Sequence, residues 1–172
     1  MADDIFDIVD SNDTVVGSAP RSQVHSLGHM HRSAHVLIFS LDGKKILLQM
    51  RSPKKDTYPS CYTTSCSGHV DSGETYDCGV EREMREETGI CIKSSELVKI
   101  GKIAASPSTG MEFVYVYEYR IGEAVKLKFS PEEIEGFDWI EIPKFERMIA
   151  EFPEKFTPAF LEVWKFFKSK KS

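Results

Sequence analysis

Gly68-His69-Val70-Asp71-Ser72-Gly73-Glu74, followed after seven residues by Arg82-Glu83-Met84-Arg85-Glu86-Glu87-Thr88-Gly89-Ile90, is the stretch that decides the reading of this chain. It places Glu83, Glu86 and Glu87 at i, i+3 and i+4 of an expected helix, so the three carboxylates project to one side. Like charges at that spacing destabilise an isolated helix by roughly 0.2–0.5 kcal/mol per pair. A bound divalent cation would remove that cost, and Mg²⁺ is held by carboxylate oxygens together with water and substrate phosphates. Ser72 or Thr75 is expected to cap the helix, Glu74 and Asp77 suit its positive end, and Gly89 suits its C-terminus. At roughly 100° per residue the acids point about a quarter turn away from the apolar Val80 and Met84, at the border of the buried surface. A cleft wall and an ordinary solvated face both fit that geometry.

These residues also fill every fixed position of the Nudix box, G-x5-E-x7-R-E-U-x-E-E-x-G-U with U a bulky apolar residue, over 68–90. The chain therefore resembles the Nudix hydrolases. The resemblance implies an α/β fold, the Nudix α/β/α sandwich with a mixed sheet, and hydrolysis of a diphosphate linkage that depends on Mg²⁺, with Mn²⁺ able to replace it. It also assigns roles. Glu83, Glu86 and Glu87 would bind metal and activate water, Arg82 would orient them, and Glu74 would be an accessory acid. The Ser67 carbonyl and Glu112 would be further metal ligands. A divalent cation suits this chemistry because it offsets the diphosphate charge, polarises a phosphorus–oxygen bond and lowers the pKa of bound water.

A chain of 172 residues, 41% apolar and with a formal charge of −5, suffices for one domain spanning 1–172. The acidic balance argues against binding a nucleic-acid polymer. No apolar run is long enough for a membrane span, and the N-terminus lacks the features of a signal peptide, so a cytoplasmic protein is expected. Cys61, Cys66, Cys78 and Cys91 show no disulfide-scaffold spacing and are expected to be reduced. Cys61, Cys66 and His69 could in principle contribute to a zinc site, although the usual paired spacing is missing. The hydrophobic pattern predicts an N-terminal hairpin over about 5–16 and strands at 34–41, 45–50, 97–104, 112–120 and near 137–140. Helices are predicted near 142–150 and over about 158–168, where Lys168, Lys170 and Lys171 would form a solvated tail.

The flanks resemble a particular branch. His31-Arg32, Val36 to Phe39, Gly43, Leu47 to Gln49, Arg51-Ser52, Lys55, Pro59 and Gly68-His69 are similar to the Nudix proteins nearest type I isopentenyl diphosphate isomerase. By motif position His31, His69 and Glu112 match the metal site of that isomerase, and His25 matches it with a one-residue gap. Its catalytic Cys, however, falls on Ser67 here, and a second metal-binding Glu falls on Gly110. Hydrolysis is thus expected ahead of isomerisation, with a non-catalytic diphosphate-binding module as a third reading. Arg51, Lys55 and His69 are the expected substrate-binding residues, with Lys54 and Arg32 as further cations. Tyr58, Tyr62, Phe113, Tyr115 and Trp139 are aromatics that could stack on a base or fill the core. A small-molecule diphosphate is the expected partner, and the hairpin and aromatic strands are places where a homodimer could form.

Overall fold

The computed structural model describes residues 3–171. Strand β3 (His31–Ser40) is the axis of the main sheet. It pairs in parallel with β8 (Glu112–Ile121) along its whole length, from His31 opposite Glu112 to Ser40 opposite Ile121. Its other edge is divided. Ser33 to Val36 pair with β6 (Cys66–His69), and Ile38 and Phe39 pair with β4 (Lys45–Arg51). β4 continues against β5 (Tyr62–Thr63) and, on its far edge, against β9 (Ile134–Glu141), while β7 (Val98–Ile103) closes the opposite edge of the sheet beside β8. One parallel pair among antiparallel neighbours makes the sheet mixed, as expected.

Alternation along β3 divides the core. Leu37 and Phe39 face a cluster with Phe145, Phe160, Val163 and Trp164, contributed by α3 (Ile142–Glu151) and α4 (Pro158–Lys171). Ala34, Val36 and Ile38 face the other way, onto Val80 and Met84 of the box. Helices therefore cover both faces, which is the α/β/α arrangement. Helix α4 extends beyond the expected 158–168. Lys171 does not trail into solvent but pairs with the buried Glu118 of β8 at 2.7 Å, and Lys168 lies 3.3 Å from Glu146 of α3. Among the described residues no helix is long and apolar enough to cross a membrane.

The N-terminal hairpin consists of β1 (Ile5–Val9) and β2 (Val15–Pro20), so its second strand runs past the expected end at about 16. It leads into α1 (Arg21–Leu27), which hydrophobic pattern does not announce. This helix is too short to be stable alone and buries only Val24, so its fixation comes from tertiary contacts, among them Arg21 N–H to the Asp4 carbonyl at 2.7 Å. The hairpin is anchored through Asp13 at its turn. The Asp13 carboxylate accepts hydrogen bonds from Arg32 Nε (2.6 Å), Lys102 Nζ (2.5 Å) and Tyr76 OH (3.0 Å), joining the hairpin to β3, β7 and the box helix. Arg32 is thereby committed to a structural pair and not presented to phosphate. Asp13→Ala should leave these donors partly buried without their acceptor and lower unfolding free energy by about 1–3 kcal/mol, measured by urea denaturation.

Candidate active site

Helix α2 (Tyr76–Glu83) begins where Thr75 Oγ1 accepts from Cys78 N–H at 3.2 Å, so Thr75, not Ser72, is the cap. The helix does not continue regularly to Gly89. Met84–Thr88 form a π-helical turn, closed by Gly89 in the left-handed conformation at φ 74°. The quarter-turn estimate assumed a regular α-helix and so does not hold across the last acids. Glu83 and Glu87 lie partly buried toward the sheet, whereas Glu86 is exposed.

Glu83 packs against the backbone of β6. A Cβ on Gly68 would collide with the Glu83 carboxylate, so glycine at this position is what allows the acid to enter. Burial, with the negative charge of Glu87 second, pushes the Glu83 carboxyl up to about 8. Burial raises Glu87 as well, against hydrogen bonds from Ser67 N–H (2.9 Å) and Gln49 Nε2 (3.0 Å), both to Oε2. The Ser67 N–H thus holds Glu87 from the strand side.

Arg82 organises the group. Its guanidinium donates to both oxygens of Glu74 (3.1 and 3.0 Å), to Glu83 Oε1 (2.5 Å), to Glu86 Oε2 (3.4 Å) and to the carbonyl of His69 (2.9 Å). Burial would raise Glu74, but its bonds from Arg82 outweigh that and lower it. Glu74 therefore serves the site by fixing Arg82. Of the three residues expected at the substrate, the His69 ring turns away to other histidines and Glu112, whereas Arg51 and Lys55 are near Glu87, whose charge acts on Arg51 and which is itself influenced by Lys55. Neither is free. Arg51 holds the loop carbonyls of Thr57 and Tyr58 (3.2 Å each from Nε), and Lys55 pairs with Glu133. Lys54 pairs with Glu132 at 2.6 Å.

The aromatics divide between core and surface. Phe113 is buried, Tyr115 packs on Tyr76 and Tyr117, Trp139 packs on the box-side core, and Tyr62 donates to Asp138 at 2.7 Å. Tyr58 is 51% exposed. It sits in the loop that Arg51 holds, with φ +49°.

A second cluster lies on the opposite face of β6. His69 points there because Gly68, one residue earlier, faces Glu83. One ring nitrogen from each of His25, His31 and His69 lies within 4.8 Å of the others. Glu112 Oε1 is 3.2 Å from His69 Nε2 and 3.7 Å from His31 Nε2. Both Nε2 atoms are buried without a well-formed hydrogen bond. The rings of His31 and His69 stack on Phe6 of the hairpin. Burial alone would raise Glu112, but the charge of His69 and the polar atoms of His31, His69 and Ser33 close to it hold it well below the usual carboxylate range. Burial brings His25 down to about 4. His35, by contrast, bonds Thr64 Oγ1 at 3.0 Å in the core and is structural.

Two expectations are corrected or refined here. The zinc combination of Cys61, Cys66 and His69 does not assemble: Cys61 bonds the Glu154 carbonyl at 3.7 Å, Cys66 is in the box-side core, and His69 joins the other histidines. Gln49 belongs to the site although no role was expected of it. It stood only within the flank Leu47 to Gln49 of the branch resemblance, and it is a polar residue inside the apolar run Ile46-Leu47-Leu48-Gln49-Met50.

The residues present fit the two kinds of metal differently. Three carboxylates beside a backbone with room for them form a hard-oxygen set suited to Mg²⁺. Imidazoles with one carboxylate suit a transition ion such as Zn²⁺ or Mn²⁺. A sandwich whose box carries acids held by an arginine is the arrangement that the resemblance to the Nudix hydrolases implies. The chain belongs to the Nudix family, whose NUDIX domain model matches residues 29–160, and it is a Nudix pyrophosphohydrolase by class. It is 34% identical to an uncharacterized Nudix hydrolase of Clostridium acetobutylicum, over 87% of this chain and 75% of that one. It is 32% identical to a prenyl-diphosphate phosphatase of Methanosarcina mazei, over 93% of each chain, and 30% identical to an isopentenyl-diphosphate Delta-isomerase of Serratia proteamaculans, over 95% and 90%.

A pH dependence follows from Glu83. Without a cation the folded protein retains its proton above the ordinary 4.5, whereas the unfolded chain has lost it, so this group's contribution to stability declines as pH rises from 4.5 to about 8. A cation bound at Glu83 would replace the proton. The rise in Tm produced by Mg²⁺ over a chelator control should therefore grow from pH 5 to pH 8, read by differential scanning fluorimetry.

Proposed function

We propose that this protein hydrolyses a diphosphate linkage in a nucleoside diphosphate-linked or related small molecule, using Mg²⁺ held by Glu83, Glu86 and Glu87. The observation that carries this reading is the convergence of Glu83 and Glu87 beside the Gly68 and Ser67 backbone, with Arg82 too heavily shared to neutralise them. Bound Mg²⁺ would supply charge neutralisation at phosphate and acidify a water. The protein's part is to hold the acids in place and supply cations. Glu83 or Glu87 accepts the proton of the attacking water, Arg82 keeps Glu83 oriented, and Lys55 and Arg51 favour the phosphates on the Glu87 side of the cleft. Tyr58 is the aromatic available to the group beyond the diphosphate. The similarity to a prenyl-diphosphate phosphatase supports including prenyl diphosphates among the substrates tested.

The histidine cluster supports a second reading, in which His25, His31, His69 and Glu112 hold another metal as in the isomerase branch. Isomerisation also needs an acid–base group where that branch has its Cys. Here Ser67 fills that position. Cys66 is fully buried, and burial, with the charges of Glu87 and Glu83, pushes its thiol well above the usual range. The histidine site is therefore proposed as inherited architecture beside a hydrolase.

A panel of nucleoside diphosphate sugars, dinucleotides, nucleoside polyphosphates and prenyl diphosphates, incubated with Mg²⁺ or Mn²⁺ and followed by mass spectrometry, tests the reaction. Phosphate-containing products that disappear with chelator are expected. Deuterium exchange into isopentenyl diphosphate without such products would establish the isomerase, and binding without turnover the non-catalytic module. Glu83→Gln and Glu87→Gln should each lower kcat by about 10²–10⁴ with the fold intact by circular dichroism. Cys66→Ser should leave hydrolysis within a few-fold of the parent, since no step passes through the thiol; a loss of about 10³ without unfolding would turn the assignment toward isomerase-like chemistry.

A further inference from the structure

Gln49 is 2% exposed and sits on β4 with its backbone paired on both sides, opposite Thr63 of β5 and Phe137 of β9. By strand alternation it shares a face with Leu47, which belongs to the apolar cluster under the box helix. An amide buried at such a position is unfavourable unless its donors are satisfied. Gln49 Nε2 donates to Glu87 Oε2 at 3.0 Å, and Ser67 N–H donates to the same oxygen at 2.9 Å. Two donors on one oxygen orient the carboxylate, and the buried Cys66 thiol lies within hydrogen-bond reach of the same group. Both donors are neutral. A lysine or arginine could hold the carboxylate as well, but its charge would compete with a cation for it.

We propose that Gln49 is a positioning residue for the metal site: together with the Ser67 amide it fixes the orientation in which the Glu87 carboxylate meets a divalent cation. This rests on the metal-binding reading of the box, and it adds a specific determinant on the sheet, outside the box and on a different element. The chemistry resembles the way outer hydrogen bonds orient metal-ligating carboxylates generally, where their loss costs about 10–100-fold in affinity or activity.

The test is Mn²⁺ binding to the full chain without substrate, by titration calorimetry and by electron paramagnetic resonance. The carboxylate site is assigned as the binding step that disappears in Glu87→Gln, which separates it from any ion on the histidines. Gln49→Leu keeps the volume and removes the donor. It should weaken that step by about 10–100-fold and lower kcat at fixed Mg²⁺, while KM for the substrate at saturating Mg²⁺ changes little. Gln49→Met removes the donor with little change in volume, provides a second variant if the Leu form folds poorly, and should weaken the step similarly. A merely structural role would move Tm and leave the Mn²⁺ constant alone. If either folded variant binds Mn²⁺ at this step within about twofold of the parent, the assignment of Gln49 is overturned while the metal reading stands. A parent protein with no step sensitive to Glu87→Gln would overturn both.

Discussion

The site depends on one cation spread over four acceptors. Glu74, Glu83 and Glu86 all lie within hydrogen-bond reach of Arg82, and the same guanidinium holds the carbonyl of His69. Without it, three carboxylates and a strand end would repel or drift apart. With it, the helix is fastened to β6 at the place where Gly68 leaves space. An arginine is suited to this because its planar fork carries five donors in fixed directions, whereas a lysine would satisfy fewer acceptors without fixing their geometry. Arg82 nevertheless does not reach Glu87. That acid is held by uncharged donors, so the ordering of the acids is divided between two parts of the site.

Strand β6 then places two different sites back to back. Gly68 faces the carboxylates, and His69 faces His25, His31 and Glu112. The carbonyl of His69 is bonded to Arg82, so the two sites share one residue through its backbone and its ring. The N-terminal hairpin completes the histidine side. Phe6 packs on two of the imidazoles, and Asp7 accepts hydrogen bonds from Ser72 and Gly73 of the box loop (2.6 and 3.2 Å). The hairpin is thereby a wall of the second cluster and a brace for the loop that enters the helix, both from one short element. Its anchoring at Asp13 is consequently a condition for the order of that wall.

The strands around this centre were legible because each carries a buried face with a simple period. β3, β4 and β8 read as strands from their Val, Ile, Leu and Tyr content, and the box resemblance marked Glu83, Glu86, Glu87, Arg82 and Glu74. What local pattern could not supply was α1, whose seven residues bury one side chain, and the π turn at Met84–Thr88, whose extra residue per turn arises where the chain must close on Gly89 beside Lys128. The fate of the basic residues was equally hidden. Arg32, Arg51, Lys54 and Lys55 look alike in a sequence, yet Arg32 is buried against Asp13, Arg51 secures a loop, and the two lysines pair with Glu132 and Glu133 about eighty positions away.

The sequence marked the family through the complete set of fixed box positions, a local property of the chain. Tertiary structure decided which of the box acids is buried, which oxygen of Glu87 is already committed, and that a glutamine from β4 commits it. It also decided that His25, separated from His69 by more than forty residues, joins it in one cluster. The reason is physical: a carboxylate's or imidazole's chemistry is set by its desolvation and its nearest donors, and these come from elements that only the packed sheet brings together.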